Sequence, residues 1–447
     1  MTRPLFEPPK DWRVATLEVN KEGGVIIDVG SGSTPPTDVK EYWDGHYPWL
    51  TPKEMTSPQC NRYIRITERS VTEEGLKQAG GSWPAGTVLL TKRAPVGAVA
   101  FNDVPMAINQ GILAFRCGEI LLPEFLFYWL KANGRYLDAV ANGSTYPELY
   151  PGDLFEFEIS FPSINEQSDI VNILGLLDEK IELNYRMNET LEAMAQAIFK
   201  SWFIDFDPVR AKSEGGHPLE MDKETAELFP DRFEKIDGWE IPMGWRKVFL
   251  PEVIEVNPKR TLRKAQLLPY LDMQNVPLQG HRPIDWILRP FDSGTKFING
   301  DTLMARITPC LEHGKTIFVD FLDENQVGWG STEYIVFRPK PPLPLEYGYL
   351  LARNNEFRSH SILNMTGSSG RLRVPAECFN FYTLVIPTEK IAKRFGEIIK
   401  PLFMAIKMND EESRTLIKIR DILLPRLISG KLRLPYLAHL KEATESI

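Results

Sequence analysis

The chain repeats itself, and the strongest part of the repeat is helical. Ile170, Leu174, Leu177, Ile181, Asn184, Asn188, Leu191, Ala195, Ile198 and Trp202 advance by alternating steps of four and three. The series recurs 225 residues later as Phe395, Ile399, Leu402, Ile406, Asn409, Ser413, Leu416, Arg420, Leu423 and Leu427. Such steps keep one face of an α-helix in phase over several heptads. One stripe alone is satisfied by packing on its own domain. Two matched stripes with Asn184 and Asn409 at the same seam position fit a different partner, each other. A polar seam residue costs stability in an ordinary core but fixes register between helices. The pattern therefore predicts a coiled coil of two long helices, each of about 35 residues and roughly 50 Å. Ser163 and Glu166 make a capping box at the start of the first. Pro401 and Pro425 are expected to kink the second or split off its ends.

The rest of the chain repeats more faintly. Trp12-Arg13 answers Trp245-Arg246, Pro48-Trp49-Leu50 answers Pro269-Tyr270-Leu271, and Gly86-Thr87-Val88-Leu89 answers Gly300-Asp301-Thr302-Leu303. Gly143-Ser144-Thr145 answers Gly367-Ser368-Ser369, and Phe161-Pro162 answers Ile386-Pro387. Each match is weak, but their shared order is hard to obtain by chance. Short β-rich runs at 87–91, 97–101, 112–116, 302–306, 316–320 and 334–338 predict strands. Residues 122–131 and 345–354 read as helices. A domain of about 150 residues is too compact to carry the chain back along such a helix. The second helix should then start near where the first ends, so the pair is antiparallel. The expected class is α+β: two mixed α/β domains joined by two long antiparallel coiled-coil helices, a dumbbell with a pseudo-two-fold internal repeat. The divisions are a first domain at 1–162, a central helix at 163–204 and a linker at 205–240. A second domain at 241–388 and a helix with tail at 389–447 complete the chain.

Composition narrows function by exclusion. Hydrophobic residues at 43% and charged residues at 25% suit a protein with substantial cores. No run of 18 apolar residues suggests a membrane helix, and the N-terminus lacks the apolar stretch of a signal peptide. Four separated cysteines without metal-ligand spacing point to a reduced, cytoplasmic setting. The net charge of −8 argues against a basic nucleic-acid coat but leaves room for a local binding surface. Acidic residues concentrate between about 161 and 239.

No Gly-rich phosphate loop, HExxH or GxSxG is present, and the six histidines form no zinc-type cluster with cysteine. Asp205-Phe206-Asp207-Pro208, beside Trp202 and Phe203, reads as packing or capping. Glu73-Glu74 and Glu411-Glu412 read as solvated faces. Polar loops at repeated positions are the better candidates for function. Gly143-Ser144-Thr145-Tyr146 and Gly367-Ser368-Ser369-Gly370-Arg371-Leu372-Arg373 combine flexible backbone, hydroxyls and cations. Such loops bring N–H groups and Arg to phosphates or guanine edges. Lys92, Arg93 and Arg306 at strand ends, with Asn109-Gln110 and Ser331-Thr332, lie between the repeated landmarks. Asn and Gln suit bidentate contacts to adenine. The candidate DNA-binding set is thus Lys92, Arg93, Asn109, Gln110, Ser144, Thr145, Tyr146, Arg306, Ser331, Thr332, Ser368, Ser369, Arg371 and Arg373.

Over almost its whole length the sequence resembles the specificity subunits of type I restriction–modification systems. Gly32-Ser33-Thr34-Pro35, Glu41-Tyr42-Trp43-Asp44-Gly45 and Tyr47-Pro48-Trp49-Leu50-Thr51 look like the opening of that family's target-recognition domain. Asn165-Glu166-Gln167 and the run from Ala197 to Val209 look like its central spacer. The run from Leu423 to Leu432 looks like its C-terminal signature. The resemblance implies two target-recognition domains, each reading one half of a split double-stranded DNA site. It implies helices that set the gap and dock two modification (methyltransferase) subunits. Those partners would use S-adenosylmethionine to methylate adenine, and restriction subunits would add ATP- and Mg2+-dependent translocation and cleavage. This chain would bind no cofactor or metal and catalyse nothing itself. The second half departs from the pattern, opening with Glu255-Val256-Asn257-Pro258-Lys259-Arg260, so the two domains should read different sequences. The residues leave two other readings open: a coiled-coil adaptor without DNA specificity, and a nuclease with an unrecognised site.

Overall fold

The computed structural model describes residues 8–56, 62–93, 95–141, 148–155, 157–368 and 370–433. The two long helices run Ile164–Phe203 and Glu389–Ile428, 40 residues each, with starts and ends both 225 apart. Every predicted seam position is buried or half-buried. The second helix continues through both prolines, so neither splits off an end. Pro401 is exposed while Ile399 and Leu402 beside it are buried and half-buried. Water can replace the backbone bond that proline forfeits on that face while the seam stays packed.

Chain contacts define two compact units, Met1–Glu182 with Ser413–Ile447, and Leu183–Glu412. Each unit includes a stretch of both helices. In the first, a five-stranded sheet has the spatial order Ile26–Ser31, Ile112–Cys117, Val88–Thr91, Val99–Asn102, Tyr63–Ile64. Beside it, Trp43–Leu50 lies between Arg69–Val71 and Ala107–Ile108. The helix Pro123–Ala132 packs Phe125, Leu126 and Leu130 on the larger sheet, and Ile170, Leu174, Leu424 and Leu427 of the long helices close the same core. Each fully buried large apolar side chain contributes about 1.5–3 kcal/mol. The two helix stretches are antiparallel here. Asp178 accepts from Arg420 at 2.8 Å, while Glu166, near the start of one helix, accepts from Arg433 beyond the end of the other at 2.7 Å. Tyr128 joins the first of these by donating to Asp178 at 2.9 Å.

In the second unit one sheet has the order Ile254–Val256, Tyr334–Pro339, Thr302–Ala305, Thr316–Phe318. The other has the order Ile287–Pro290, Leu267–Leu271, Gly328–Gly330, Thr295–Phe297. Phe199, Trp202 and Phe203 meet Phe395, Ile399 and Phe403 in the largest core. Further along, Asn184 Nδ2 donates to the Asn409 carbonyl at 3.3 Å and to Glu412 at 2.8 Å. Asn409 Nδ2 donates to Asn188 at 2.9 Å. The helices are therefore antiparallel in this unit too, and the seam asparagines interlock as expected. Glu412, read from the sequence as solvated, is part of that lock.

Two local readings change. Ser163 caps the first helix, accepting from the Glu166 N–H at 3.4 Å, but the Glu166 carboxylate turns to Arg433 instead of completing a capping box. Arg433 also grips Asp11 at 2.8 Å. The acidic stretch 205–240 carries two short helices, Asp207–Ser213 and Lys223–Leu228, and a hairpin of Phe233–Ile236 with Trp239–Pro242. Val209 and Phe229 from this stretch lie in the second unit's core. Asp205 pairs with Lys200, and the helix that starts at Asp207 has Phe206 at its N-cap and no side-chain cap, so this run packs and pairs without capping.

The repeat is visible bond by bond. Trp12 and Trp245 each donate their N–H to a carbonyl three residues back, at 3.0 Å. The following strands pair Arg13 with Phe161 and Arg246 with Ile386. Gly86 and Gly300, both at positive φ, each donate to the neighbouring strand. A rare parallel pairing also recurs, Trp49 with Ala107 and Tyr270 with Trp329. Gly32 shows how tightly the first unit is drawn together, since a Cβ there would lie 1.6 Å from the Ile108 carbonyl oxygen. Gly32→Ala should destabilise this unit by about 1–3 kcal/mol, because backbone must move to admit it. An unchanged urea-unfolding midpoint would contradict the close approach.

Candidate nucleic-acid interface

Each unit builds a polar cluster where its main sheet ends, on one hydrogen-bond framework. In the first unit the Lys92 N–H donates to the Gly111 carbonyl, and the Leu149 N–H donates to the Lys92 carbonyl, both at 2.9 Å. In the second, the Arg306 N–H donates to the Glu333 carbonyl at 2.9 Å, and the Val374 N–H donates to the Arg306 carbonyl at 2.8 Å. Lys92 and Arg306 are 214 residues apart and Leu149 and Val374 are 225 apart, the offsets of the sequence repeat. Each framework ties a strand end to the residues just after a predicted polar loop.

Most second-unit candidates come together. The Thr308 N–H donates to the Leu372 carbonyl, and Thr366 and Arg373 bond each other's backbone in both directions at 2.9 Å. Arg373 places Nε and Nη2 on the Glu333 carboxylate at 2.7–3.0 Å. That carboxylate holds the guanidinium above its usual pKa. The Glu333 N–H donates to Ser331 Oγ at 3.1 Å. The Arg371 N–H donates to the Ser368 carbonyl at 3.0 Å, and the Arg371 side chain is exposed. Thr332 is also exposed, whereas Arg306 Nε and Thr308 Oγ1 are buried with no hydrogen-bond partner among the described residues. The two arginines thus differ: Arg373 spends its fork on Glu333, while Arg371 points its donors outward. Ser369 lies outside the described residues.

The first unit uses other side chains. Asn109 Nδ2 donates to Thr34 Oγ1 at 2.9 Å, and Thr34 Oγ1 donates to Gln110 Oε1 at 2.5 Å. Ser31 Oγ donates to the Gln110 carbonyl at 3.1 Å, and Ser33 Oγ donates to the Gln78 carbonyl. Trp49 Nε1 donates to the Ser33 carbonyl at 3.1 Å, fastening this segment from below. Lys92 and Arg93 converge on Glu148 at 3.0 and 3.9 Å, and only 12% of the Lys92 side chain is exposed. Lys92 is therefore a structural cation, and Arg93 is the more accessible of the pair. Ser144, Thr145 and Tyr146 lie outside the described residues.

Thr34 and Glu333 were not among the candidates. The Gly32-Ser33-Thr34 run signalled the first, but its tie to Asn109-Gln110 spans about 75 residues and no local pattern shows it. In the second unit the corresponding opening is anchored differently. Asn257 accepts from the Val336 N–H at 2.9 Å, and Arg260 pairs with the buried Asp301 at 2.7 Å. Burial pushes the Cys117 thiol up to about 12 and the Cys378 thiol up to about 11, which leaves neither as a thiolate near neutral pH.

A family model, the type I restriction modification DNA specificity domain, matches residues 15–193. The chain is 30% identical over 436 residues to the type I restriction enzyme MjaIX specificity subunit of Methanocaldococcus jannaschii, covering 95% of this chain and 94% of that one. The chain belongs to the type I restriction enzyme specificity subunits. This specificity subunit is also 26% identical over 364 residues to the HindI specificity subunit of Haemophilus influenzae, across 70% and 78% of the two chains. In fold it is similar to the crystal structure of a type I restriction–modification S subunit from M. genitalium, with a TM-score of 0.54 at 15% identity over 92% and 98% of the chains. Among its described residues no helix is long and apolar enough to cross a membrane.

The pairing of Arg373 with Glu333 predicts a difference between two neighbouring arginines of the specificity subunit. Arg373→Ala should loosen the loop and speed amide exchange at Thr366 and Val374. Arg371→Ala should leave those rates unchanged. Equal rates in wild type and both variants would remove the Glu333 anchor from the account.

Proposed function

We propose that this specificity subunit chooses the DNA sequence for a type I restriction–modification complex and leaves the chemistry to its partners. Residues 1–162 and 241–388 act as target-recognition domains, each reading one part of a bipartite site in double-stranded DNA. The 163–204 and 389–447 helices carry the assembly, with 205–240 joining the halves. The observation that carries this reading is the doubled polar cluster: one backbone framework, presenting Thr34, Asn109, Gln110 and Arg93 in one unit and Arg371, Thr332 and Ser331 in the other. A shared scaffold with different donors and acceptors is what reading two different half-sites requires. The target is therefore asymmetric. Arg371 is the side chain best disposed to reach a base, and Arg371→Ala should cost about 1–3 kcal/mol of DNA affinity.

Two modification subunits bind S-adenosylmethionine and methylate adenine at the chosen site, and restriction subunits supply ATP- and Mg2+-dependent cleavage, a cytoplasmic bacterial defence. The outer faces of the long helices support docking of protein partners. In the second unit Leu183, Met187, Met194, Met404 and Met408 are exposed apolar residues on these helices, suited to adaptable helix contacts. An adaptor without DNA specificity would use those faces but would have no need of two differently furnished clusters.

A genome-wide map of N6-methyladenine in host cells with and without the gene tests the reading. Loss of methylation from one asymmetric two-part motif with a fixed gap is expected. An unchanged map, in cells where the chain co-purifies with an active methyltransferase, would refute it.

A further inference from the structure

Each unit carries an exposed arginine laid over a pair of aromatic rings, away from the candidate clusters' own side chains. In the first, the Arg69 guanidinium carbon lies 3.3 Å from the Trp43 ring centroid and 5.8 Å from that of Trp49. The two indoles meet edge to face at 5.1 Å. In the second, Arg289 lies 4.8 Å from the Tyr270 centroid and 5.6 Å from that of Trp329, with the rings 4.5 Å apart. Trp49 and Tyr270 occupy the same place in the repeat, each in a central strand flanked by one antiparallel and one parallel neighbour. The second ring has a different source in each unit, Trp43 on the same strand and Trp329 on the parallel neighbour. The same cation shelf is thus assembled from two sets of residues.

Stacking uses the face of a guanidinium and leaves its in-plane N–H groups aimed outward. Among the described residues neither arginine forms an ion pair. Glu68, next to Arg69, is held by Lys53 at 2.8 Å and accepts no bond from Arg69. Arg289 meets the Tyr270 hydroxyl, a neutral partner. Asp272 shares that hydroxyl but makes no ion pair with Arg289. A chain of net charge −8 therefore keeps, among its described residues, two cations without an ion-pair partner on matched strands. Both shelves adjoin the clusters described above. The Trp49 indole is hydrogen-bonded to Ser33, and the strand Gly328–Gly330 that carries Trp329 leads directly into Ser331.

We propose that Arg69 and Arg289 are phosphate-contacting residues, each neutralising one backbone phosphate of the DNA that its own unit reads; this rests on the DNA-recognition reading above. They position the duplex and carry no sequence choice, leaving discrimination to the loop side chains.

The test uses the complex assembled with its modification subunits, Arg→Gln and Arg→Lys variants at both positions, and two duplexes, one with the methylated motif and one without. Affinity is measured from about 50 to 200 mM salt. Each Gln variant should weaken both duplexes about three- to tenfold and reduce the salt slope by about one, while each Lys variant keeps the slope. Unchanged affinity and slope in the Gln variants, with motif preference intact, would overturn the inference. Loss on the motif duplex alone at unchanged slope would also overturn it, by assigning a base contact. Uniform loss in a complex blind to sequence would uphold the phosphate contact and overturn the recognition reading instead.

Discussion

The long-helix seam is the interaction on which the rest of the structure depends. The largest core of each unit is built in part from the seam's side chains. Ile170, Leu174, Leu424 and Leu427 fill the first unit's core, and Phe199, Trp202, Phe395 and Ile399 fill the second's. A helix pair that slipped by one turn would open both cores and break specific polar bonds. Asn184, Asn188, Asn409 and Glu412 bond one another in one register in the second unit. In the first unit Asp178 with Arg420 and Glu166 with Arg433 do the same with charge. Apolar burial supplies the stabilisation, and the buried polar groups supply the specificity of alignment.

Much of this was legible because it is periodic. The 225-residue echo located both helices, and the short β-rich runs placed the strands at 88–91, 112–117, 302–305 and 334–339 to within a residue or two. What stayed hidden was non-local or compensated. Arg433 bonds Asp11 and Glu166, separated from it by 422 and 267 residues, and no sequence window contains such a pairing. Pro401 breaks a local rule, but its exposed position lets packing on either side override it. The stretch 205–240 looked like a linker because its surface is acidic, while Val209 and Phe229, with Phe206, Met221, Leu228 and Phe233 packed against the same cluster, carry it into the core. In the second unit's candidate loop, sequence does not separate the residues from one another. Arg371 and Arg373 look alike in sequence, and only the Glu333 carboxylate separates an outward donor from an anchored one.

Duplication accounts for the economy of the design. The backbone bonds at Lys92 and Arg306, the parallel strand pairs and the cation shelves repeat, while the side chains facing outward differ. Asn109 and Gln110 on one side, and Ser331 and Thr332 on the other, offer different donors and acceptors from matched places in the framework, with Thr34 added in the first unit and Arg371 in the second. Stability thus rests on the repeated framework, and the proposed function leaves sequence choice to the side chains that differ.

The central claim is that each half reads its own part of the target. Replacing residues 241–388 with the corresponding segment of a relative, then mapping adenine methylation in cells carrying the hybrid and the modification subunits, tests it directly. The account predicts that one element of the two-part motif changes while the other element is kept. A hybrid that methylates the original motif, or one in which both elements change together, would contradict it.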